Sequence, residues 1–177
     1  EAVTEQAQRG LHYGAVNERA LELGRRIQEY VPSAERVRFC SSGTEATMYA
    51  VRLARAATGN SHVLKAEGGW HGGNSDLSVA IHTPFDEAES VGLPPGAAEH
   101  IPPFPVNDRE AVESLLAEYR GDVAAIIVEP MLLAGGGIEA EAVFLEFLRD
   151  ETEDRGIELI FDEGVTGFRF SPGSYQA

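Results

Sequence analysis

Residues 159–169, Leu-Ile-Phe-Asp-Glu-Gly-Val-Thr-Gly-Phe-Arg, constrain the fold more than any other stretch of the chain. The apolar run Ile157 to Phe161 has Gly156 behind it and two adjacent carboxylates, Asp162 and Glu163, ahead. A short apolar run so bounded, with Gly164 and a polar turn after it, predicts a buried strand of a parallel sheet. In open α/β sheets, ligands sit beyond the carboxyl ends of such strands. Asp162 is therefore aimed at a site, where it can hold a metal, a ribose or a protonated ring nitrogen. The plainer reading is an aspartate that caps the next turn.

The rest of the chain repeats this strand-then-helix grammar. The spacing of Ala20, Leu23, Ile27 and Val31 predicts a helix over 17–31, capped by Asn17 and stopped by Pro32. Val37 to Cys40 reads as a short strand leading into Ser41-Ser42-Gly43-Thr44-Glu45. A helix follows to about Ala57, with Ser42 and Glu45 at capping-box spacing and Ala46, Ala50, Leu53 and Ala57 facing inward. Gly43 lets a ligand approach the backbone. The first-turn N–H groups, the helix dipole and the hydroxyls of Ser42 and Thr44 favour an anion, with phosphate the natural guest. No P-loop and no GxGxxG fingerprint is present, and a plain N-cap explains the same residues.

Val63 to Ala66 is the next strand and leads into Glu67-Gly-Gly-Trp-His-Gly-Gly73. Trp70, the only Trp, sits among glycines, where it can lie flat on a planar ring or close a sheet edge. His71 beside it can act as a base, a ligand or a supporting donor, but no metal-spaced His/Cys cluster surrounds it. Leu77 to Ile81 reads as a further strand, and residues 84–105, rich in proline, as a long surface loop. Asn107, with Glu110 three residues on, caps a helix whose apolar face is Val112, Leu115, Leu116 and Tyr119. Val123 to Val128 is the clearest buried strand, and it too ends in a carboxylate, Glu129-Pro130. After an apolar, Gly-rich loop at 132–137, a helix runs from about Ala142 to Arg155 with Phe144, Leu145 and Leu148 inward. The alternation predicts an α/β fold with a mostly parallel sheet flanked by helices, in one unit without repeats or an evident linker.

Composition narrows the partners. The chain has 177 residues, 43% hydrophobic, with a net charge of −15. Every basic residue is Arg except Lys65. Nucleic acid and anionic membranes are poor partners for such a surface, and no apolar run is long enough for a transmembrane helix. The single Cys40 excludes an internal disulfide.

A helix start built for phosphate, a loop aromatic and a strand-end aspartate together describe a site for a planar, phosphorylated, N-protonated cofactor, and pyridoxal 5'-phosphate fits. Val37-Arg-Phe-Cys-Ser-Ser-Gly-Thr-Glu-Ala46, Glu67-Gly-Gly-Trp-His-Gly72, Val128-Glu-Pro130 and Ile160-Phe-Asp-Glu-Gly-Val-Thr-Gly-Phe-Arg169 resemble, in order, motifs of the class III aminotransferases of pyridoxal-phosphate fold type I. The branch they resemble most is that of glutamate-1-semialdehyde 2,1-aminomutase and its related aminotransferases. The resemblance implies that Gly43 and Thr44, with Ser42 a weaker contributor, bind the cofactor phosphate. It implies that Trp70 stacks on the ring, His71 stands behind it, and Asp162 pairs with the pyridinium nitrogen, keeping it protonated. Glu129 matches a family glutamate near the substrate; Arg169 belongs to the motif without an assigned role. A small-molecule amino donor, a keto or aldehyde acceptor, a homodimer and a cytoplasmic location are further implications.

Three departures from the family pattern matter. The family's Schiff-base Lys lies a few tens of residues beyond the strand-end Asp, and Lys65 matches a different, strand position. The chain is therefore expected to be the N-terminal part of a cofactor-binding large domain, inactive alone, with the catalytic Lys downstream and no catalytic residue within residues 1–177. Gly164 stands where Val or Ile usually packs under the ring, and Ala134 stands where the aminomutases carry Asn. Gly164 loosens the seat of the ring, and Ala134 favours an aminotransferase over a strict aminomutase. Two readings from other classes compete: a non-catalytic module binding a phosphorylated ligand, and, more weakly, a nucleotide-binding domain. The excess of acid with almost no Lys also predicts a halophilic, salt-adapted source, because concentrated salt screens self-repulsion. The expected outcome is partial unfolding, seen by circular dichroism, on dialysis from molar salt into dilute buffer; equal ellipticity in both contradicts it.

Overall fold

The computed structural model describes residues 1–85 and 89–176. Its centre is a four-stranded, wholly parallel sheet in the order β2-β1-β3-β6. The strands are β1 (His62–Ala66), β2 (Pro103–Phe104), β3 (Val123–Val128) and β6 (Glu158–Phe161). A separate antiparallel hairpin pairs β4 (Met131–Leu132) with β5 (Ile138–Glu139), within what the sequence presents only as a Gly-rich loop. The helices are α1 (Ala2–Arg9), α2 (Glu18–Tyr30), α3 (Gly43–Thr58), α4 (Arg109–Glu118) and α5 (Ala142–Arg155). Helix α1 falls in the polar first ten residues, which carry no apolar stripe to announce it, and it buries nothing.

Alternation along the strands divides the core in two. Leu64, Ala66, Ile126 and Val128 face α4 and α5, where Val112, Leu116, Phe144 and Leu148 meet them. Val63, Ala125 and Ile127 face the other way, against Val51 and Ala54 of α3 and the buried residues Leu77, Val79, Ala80 and Ile101. Strand β3 is buried along its whole length, as its unbroken apolar run predicts for a central parallel strand. Strand β6 lies at the sheet edge and is only half-buried, so the expectation that it is fully enclosed does not hold among the described residues.

Several boundaries move for identifiable reasons. Helix α3 buries Thr47, Val51 and Ala54, while Ala46 and Ala57 are exposed and Leu53 is 64% exposed. The inward stripe is thus rotated from the one read in sequence, because the residues touching the sheet include a threonine that bonds a loop carbonyl. Leu23 of α2 is likewise exposed. Val37–Cys40 is extended but has no ladder partner among the described residues, so it is not a strand; Arg38 instead lies over the Tyr49 ring, 4.0 Å from its centroid. Residues 77–81 are buried but are not the strand the sequence predicts; they follow a turn and hold one isolated bridge at Val79. Asn74 Oδ1 accepts from Leu77 N, and Ala80 takes φ of 52°, which ends any extended run.

The end of the proline-rich stretch is not surface loop: Ile101 and Phe104 are buried, and Pro103–Phe104 pairs with β1 as an edge strand. Asn107 does not cap α4. Asp108 does, accepting from Ala111 N, while Asn107 turns to bond Glu139 O and Glu141 N. Asn17 caps α2 through Ala20 N, and Gly59 and Gly156 close α3 and α5 in left-handed conformations.

Leu116→Ala, at a position 2% exposed, is expected to cost about 2–5 kcal/mol of unfolding free energy. Leu53→Ala should change it by less than about 0.5 kcal/mol. Urea denaturation of both variants checks the rotated face of α3; a larger loss at Leu53 contradicts it.

Candidate functional site

Because the sheet is parallel, β1, β3 and β6 all end at one edge, and their registers make them end level. Lys65 pairs with Ile127, and Val128 pairs with Phe161. The residues that follow, Glu67, Glu129 and Asp162, therefore emerge beside one another, and Asp162 N–H donates to Val128 O at 2.9 Å. Helix α3 brings its N-terminus to the same edge. Its Thr47 hydroxyl, buried on the inner face, donates to the His71 carbonyl at 2.7 Å, and Gly73 N–H donates to Thr44 Oγ1 at 3.2 Å.

The helix start and the loop approach so closely that residue 72 has to be glycine. A Cβ there would lie 2.3 Å from Thr44 Oγ1 and 2.6 Å from Thr44 Cα, and φ is 85°. At the helix start itself, Ser42 Oγ accepts from Glu45 N at 3.2 Å as the spacing predicts, while Glu45 Oε2 accepts from Ser41 N at 2.8 Å, one residue before the N-cap N–H that a capping box engages. Ser42 O accepts from Ala46 N. The N–H groups of Gly43 and Thr44 lie ahead of the first intrahelical bond and have no carbonyl within the helix to reach. A Cβ at Gly43 would meet nothing within 4 Å, so the backbone there faces open space.

The loop after β1 carries the other half of the site. Trp70 is 50% exposed and His71 is buried. His71 Nδ1 lies 2.9 Å from Asp162 Oδ2, and since a carboxylate only accepts, Nδ1 carries the proton. Asp162 Oδ1 accepts from Gly164 N at 3.1 Å, yet the side chain stays 17% exposed. His71 Nε2 is buried and has no hydrogen-bond partner. Trp70 N–H donates to Glu129 Oε1 at 2.6 Å. Burial pushes the Glu129 carboxyl above its ordinary 4.5, an effect partly offset by the Trp70 N–H and by His71 and reinforced by the Asp162 charge. Glu129 is thus tied to the loop backbone, a contact that sequence spacing alone does not reveal. Thr47, too, is part of the support; its place one turn after Gly43 was the available signal.

Lys65 is fully buried within the sheet, its Nζ 3.2 Å from Ala66 O and 3.4 Å from Ala80 O. It is not free to meet a ligand at the edge. Glu163 organises the following turn, accepting from Thr166 Oγ1, Gln176 Nε2 and Tyr175 N, while Arg169 is exposed and forms no ion pair among the described residues. No group of three or more His, Cys, Asp or Glu among the described residues can hold a metal. Among the described residues, no helix is long and apolar enough to cross a membrane.

A helix N-terminus, an exposed indole and a histidine-held aspartate, gathered at the carboxyl edge of a parallel sheet, define an α/β domain shaped like those of solved transaminases. The likeness extends to an omega-transaminase from Sphaerobacter thermophilus, with TM-score 0.88 and 32% identity over 93% of this chain and 40% of that one. A transaminase solved with PLP bound superposes with TM-score 0.91 at 28% identity, over 99% of this chain and 42% of that one. The family model for class III aminotransferases matches residues 1–174, and the chain belongs to that family. Among curated relatives, the glutamate-1-semialdehyde 2,1-aminomutase of Methanothermobacter thermautotrophicus is 46% identical over 99% of this chain. That of Aquifex aeolicus is 41% identical over the same share. The chain spans 42% of the length of each.

Glu129 also sets a pH dependence. Its raised folded pKa means the fold favours the protonated form, so its contribution is complete below about pH 4.5 and is lost as pH rises through the folded value. Glu129→Gln keeps an acceptor for Trp70 N–H and removes that loss. Urea denaturation at pH 4 and pH 8 should show wild type losing ground to the variant at the higher pH; an unchanged or opposite difference refutes it.

Proposed function

We propose that the chain is the cofactor-binding part of a pyridoxal 5'-phosphate-dependent enzyme that moves an amino group between small molecules. The observation that carries this reading is the 2.9 Å bond from His71 to Asp162, which fixes a partly exposed carboxylate at the strand edge near an exposed indole and a free helix N-terminus. The residues present fit the group. The open space at Gly43 and the unbonded N–H groups of the first turn suit a phosphate, with Thr44 and Ser42 adding hydroxyls. The Trp70 face suits a planar ring, and Asp162 suits a protonated ring nitrogen.

In this reading each residue has a physical task. His71 donates from Nδ1 to Asp162, so the carboxylate keeps one orientation. Asp162 would hold a proton on the ring nitrogen of a bound cofactor. When bound, the cofactor supplies an electron sink for the carbanion that forms as the amino group is moved. Glu129 fixes the backbone of Trp70 and thereby where the indole leaves the loop, and it stands where a substrate group would approach. Lys65 is buried away from the edge, so we place the lysine that anchors the cofactor outside residues 1–177, and we expect these residues alone to bind without turnover. A homodimer, a cytoplasmic location and salt adaptation belong to the same proposal.

Two finer readings have separate support. Curated relatives named glutamate-1-semialdehyde 2,1-aminomutase, at 39–46% identity, favour exchange of the amino group within one molecule. Ala134, at the position where the aminomutases carry Asn, favours transfer between two molecules. Formation of product from glutamate 1-semialdehyde with no added amino donor, by the whole enzyme, decides for the first; a strict need for a donor decides for the second.

The cofactor reading itself is tested by titrating the protein with pyridoxal 5'-phosphate while following Trp70, its only Trp. Saturable quenching is expected, without the long-wavelength absorbance that a cofactor-bound lysine produces. Asp162→Ala should weaken binding about tenfold or more, the loss of one charge-assisted contact. No saturable quenching in wild type rejects the assignment.

A further inference from the structure

Lys65 is the one Lys or Arg side chain among the described residues that is fully buried, and nothing in the chemistry above uses it. Its position along β1 puts it on the face of the sheet shared with Val63, opposite Leu64 and Ala66. Its ammonium ends between two backbone carbonyls at the neck of the loop that carries Trp70 and His71. One is Ala66 O, where the loop leaves β1; the other is Ala80 O, in the buried turn where the loop returns. Each carbonyl also accepts a backbone N–H from the glycines just before Trp70. Gly69 N donates to Ala66 O at 3.2 Å, and Gly68 N donates to Ala80 O at 2.8 Å. Both anchors of the Gly68–Gly69 turn are thus shared with the same ammonium.

We propose that Lys65 is a positioning residue for the cofactor site, closing the neck of the 67–80 loop and so fixing where Trp70 and His71 stand. The proposal rests on the cofactor reading above only for its effect on ligand affinity; the hold on the loop is a property of this chain alone. Glycines set the turn's path but supply no side chain to stiffen it, so an aromatic that follows two of them needs an outside tether. Glu129 supplies one at Trp70 N, and Lys65 supplies the other at the loop's two ends. The placement is consistent with the local charges. Among the described residues, Glu67 at the end of β1, Glu129 at the end of β3, and Glu89, which accepts from Ile81 N and His82 N, surround the ammonium and favour it. Burial works against it more strongly, lowering its pKa from 10.5 to about 8.

That balance separates positioning from stability. A base with a lowered folded pKa disfavours the fold while it is charged, and stability from this group rises as pH climbs from about 8 to 10.5. Replacing Lys65 by an apolar residue of similar length therefore does not lower the melting temperature at pH 7. Loop order moves the other way, because charge-assisted hydrogen bonds weaken once the amine is neutral.

The test uses Lys65→Met and pyridoxamine 5'-phosphate, which has no aldehyde and reacts with no amine. Relative to wild type at pH 7, the variant should bind about tenfold more weakly, one charge-assisted hydrogen bond's worth, with an unchanged or higher melting temperature. In the ligand-free wild type, Trp70 emission and anisotropy should step with a midpoint near pH 8, a step missing in the variant. Equal affinity with the same emission in both proteins overturns the proposal. If Lys65→Met does not fold, the wild-type pH titration still decides: a flat Trp70 signal from pH 6.5 to 9.5 overturns it. If wild type does not bind pyridoxamine 5'-phosphate at all, the cofactor reading fails, and the ligand-free titration still decides the role of Lys65.

Discussion

Like charges crowd the carboxyl edge of the sheet, and the arrangement of the site follows from how that crowding is relieved. Parallel strands ending level deliver Glu67, Glu129 and Asp162 side by side into a partly dry region. Each carboxylate in such a place must be hydrogen-bonded, neutralised or left near water. Asp162 is met by an imidazole and a backbone N–H and keeps some exposure. Glu129 is met by the Trp70 N–H and drifts toward its protonated form. Lys65 offers a compensating charge from beneath. The loop that supplies most of these partners is held in place by the groups it satisfies.

The same bonds give the site rigidity where rigidity has a use. An indole on a glycine-rich turn would wander over many orientations. Here its backbone N–H, the carbonyl of the next residue and the glycine after that are tied respectively to Glu129, Thr47 and, by close approach, Thr44. The loop is therefore clasped between the end of β3 and the first turn of α3, two elements that are themselves packed against β1 and the sheet. Preorganisation of this kind lowers the entropy cost of binding a flat ligand.

Much of this was legible in the residues. Val123–Val128 announced a buried parallel strand, Ser42 and Glu45 a capped helix start, and the strand-end carboxylates the edge where they sit. What failed to read through did so because tertiary contacts overrode local pattern. The inner face of α3 is set by Thr47 reaching a loop carbonyl, which hydrophobic periodicity cannot detect. Residues 77–81 are mostly apolar and buried, yet a positive φ at Ala80 limits their pairing to one isolated bridge at Val79. Val37–Cys40 has strand composition, but a strand exists only with a neighbour to bond. Asp108 rather than Asn107 caps α4 because Asn107 is drawn away to the end of the β4–β5 hairpin. The role of Lys65 was hidden for a different reason: nothing in a run of strand residues says that one of them reaches round to its own loop.

The bond between His71 and Asp162 spans 91 residues of sequence. A contact so distant closes only after β1, β3 and the helices between them are in place, since β6 docks on β3 and carries Asp162 with it. Loop-closure entropy makes such contacts late events in folding. A nascent chain emerging N-terminus first would display Trp70 and the α3 helix start long before the aspartate that completes their site. Ligand binding that depends on all three then reports the last stage of assembly, and by mass action the ligand stabilises only chains that have reached it.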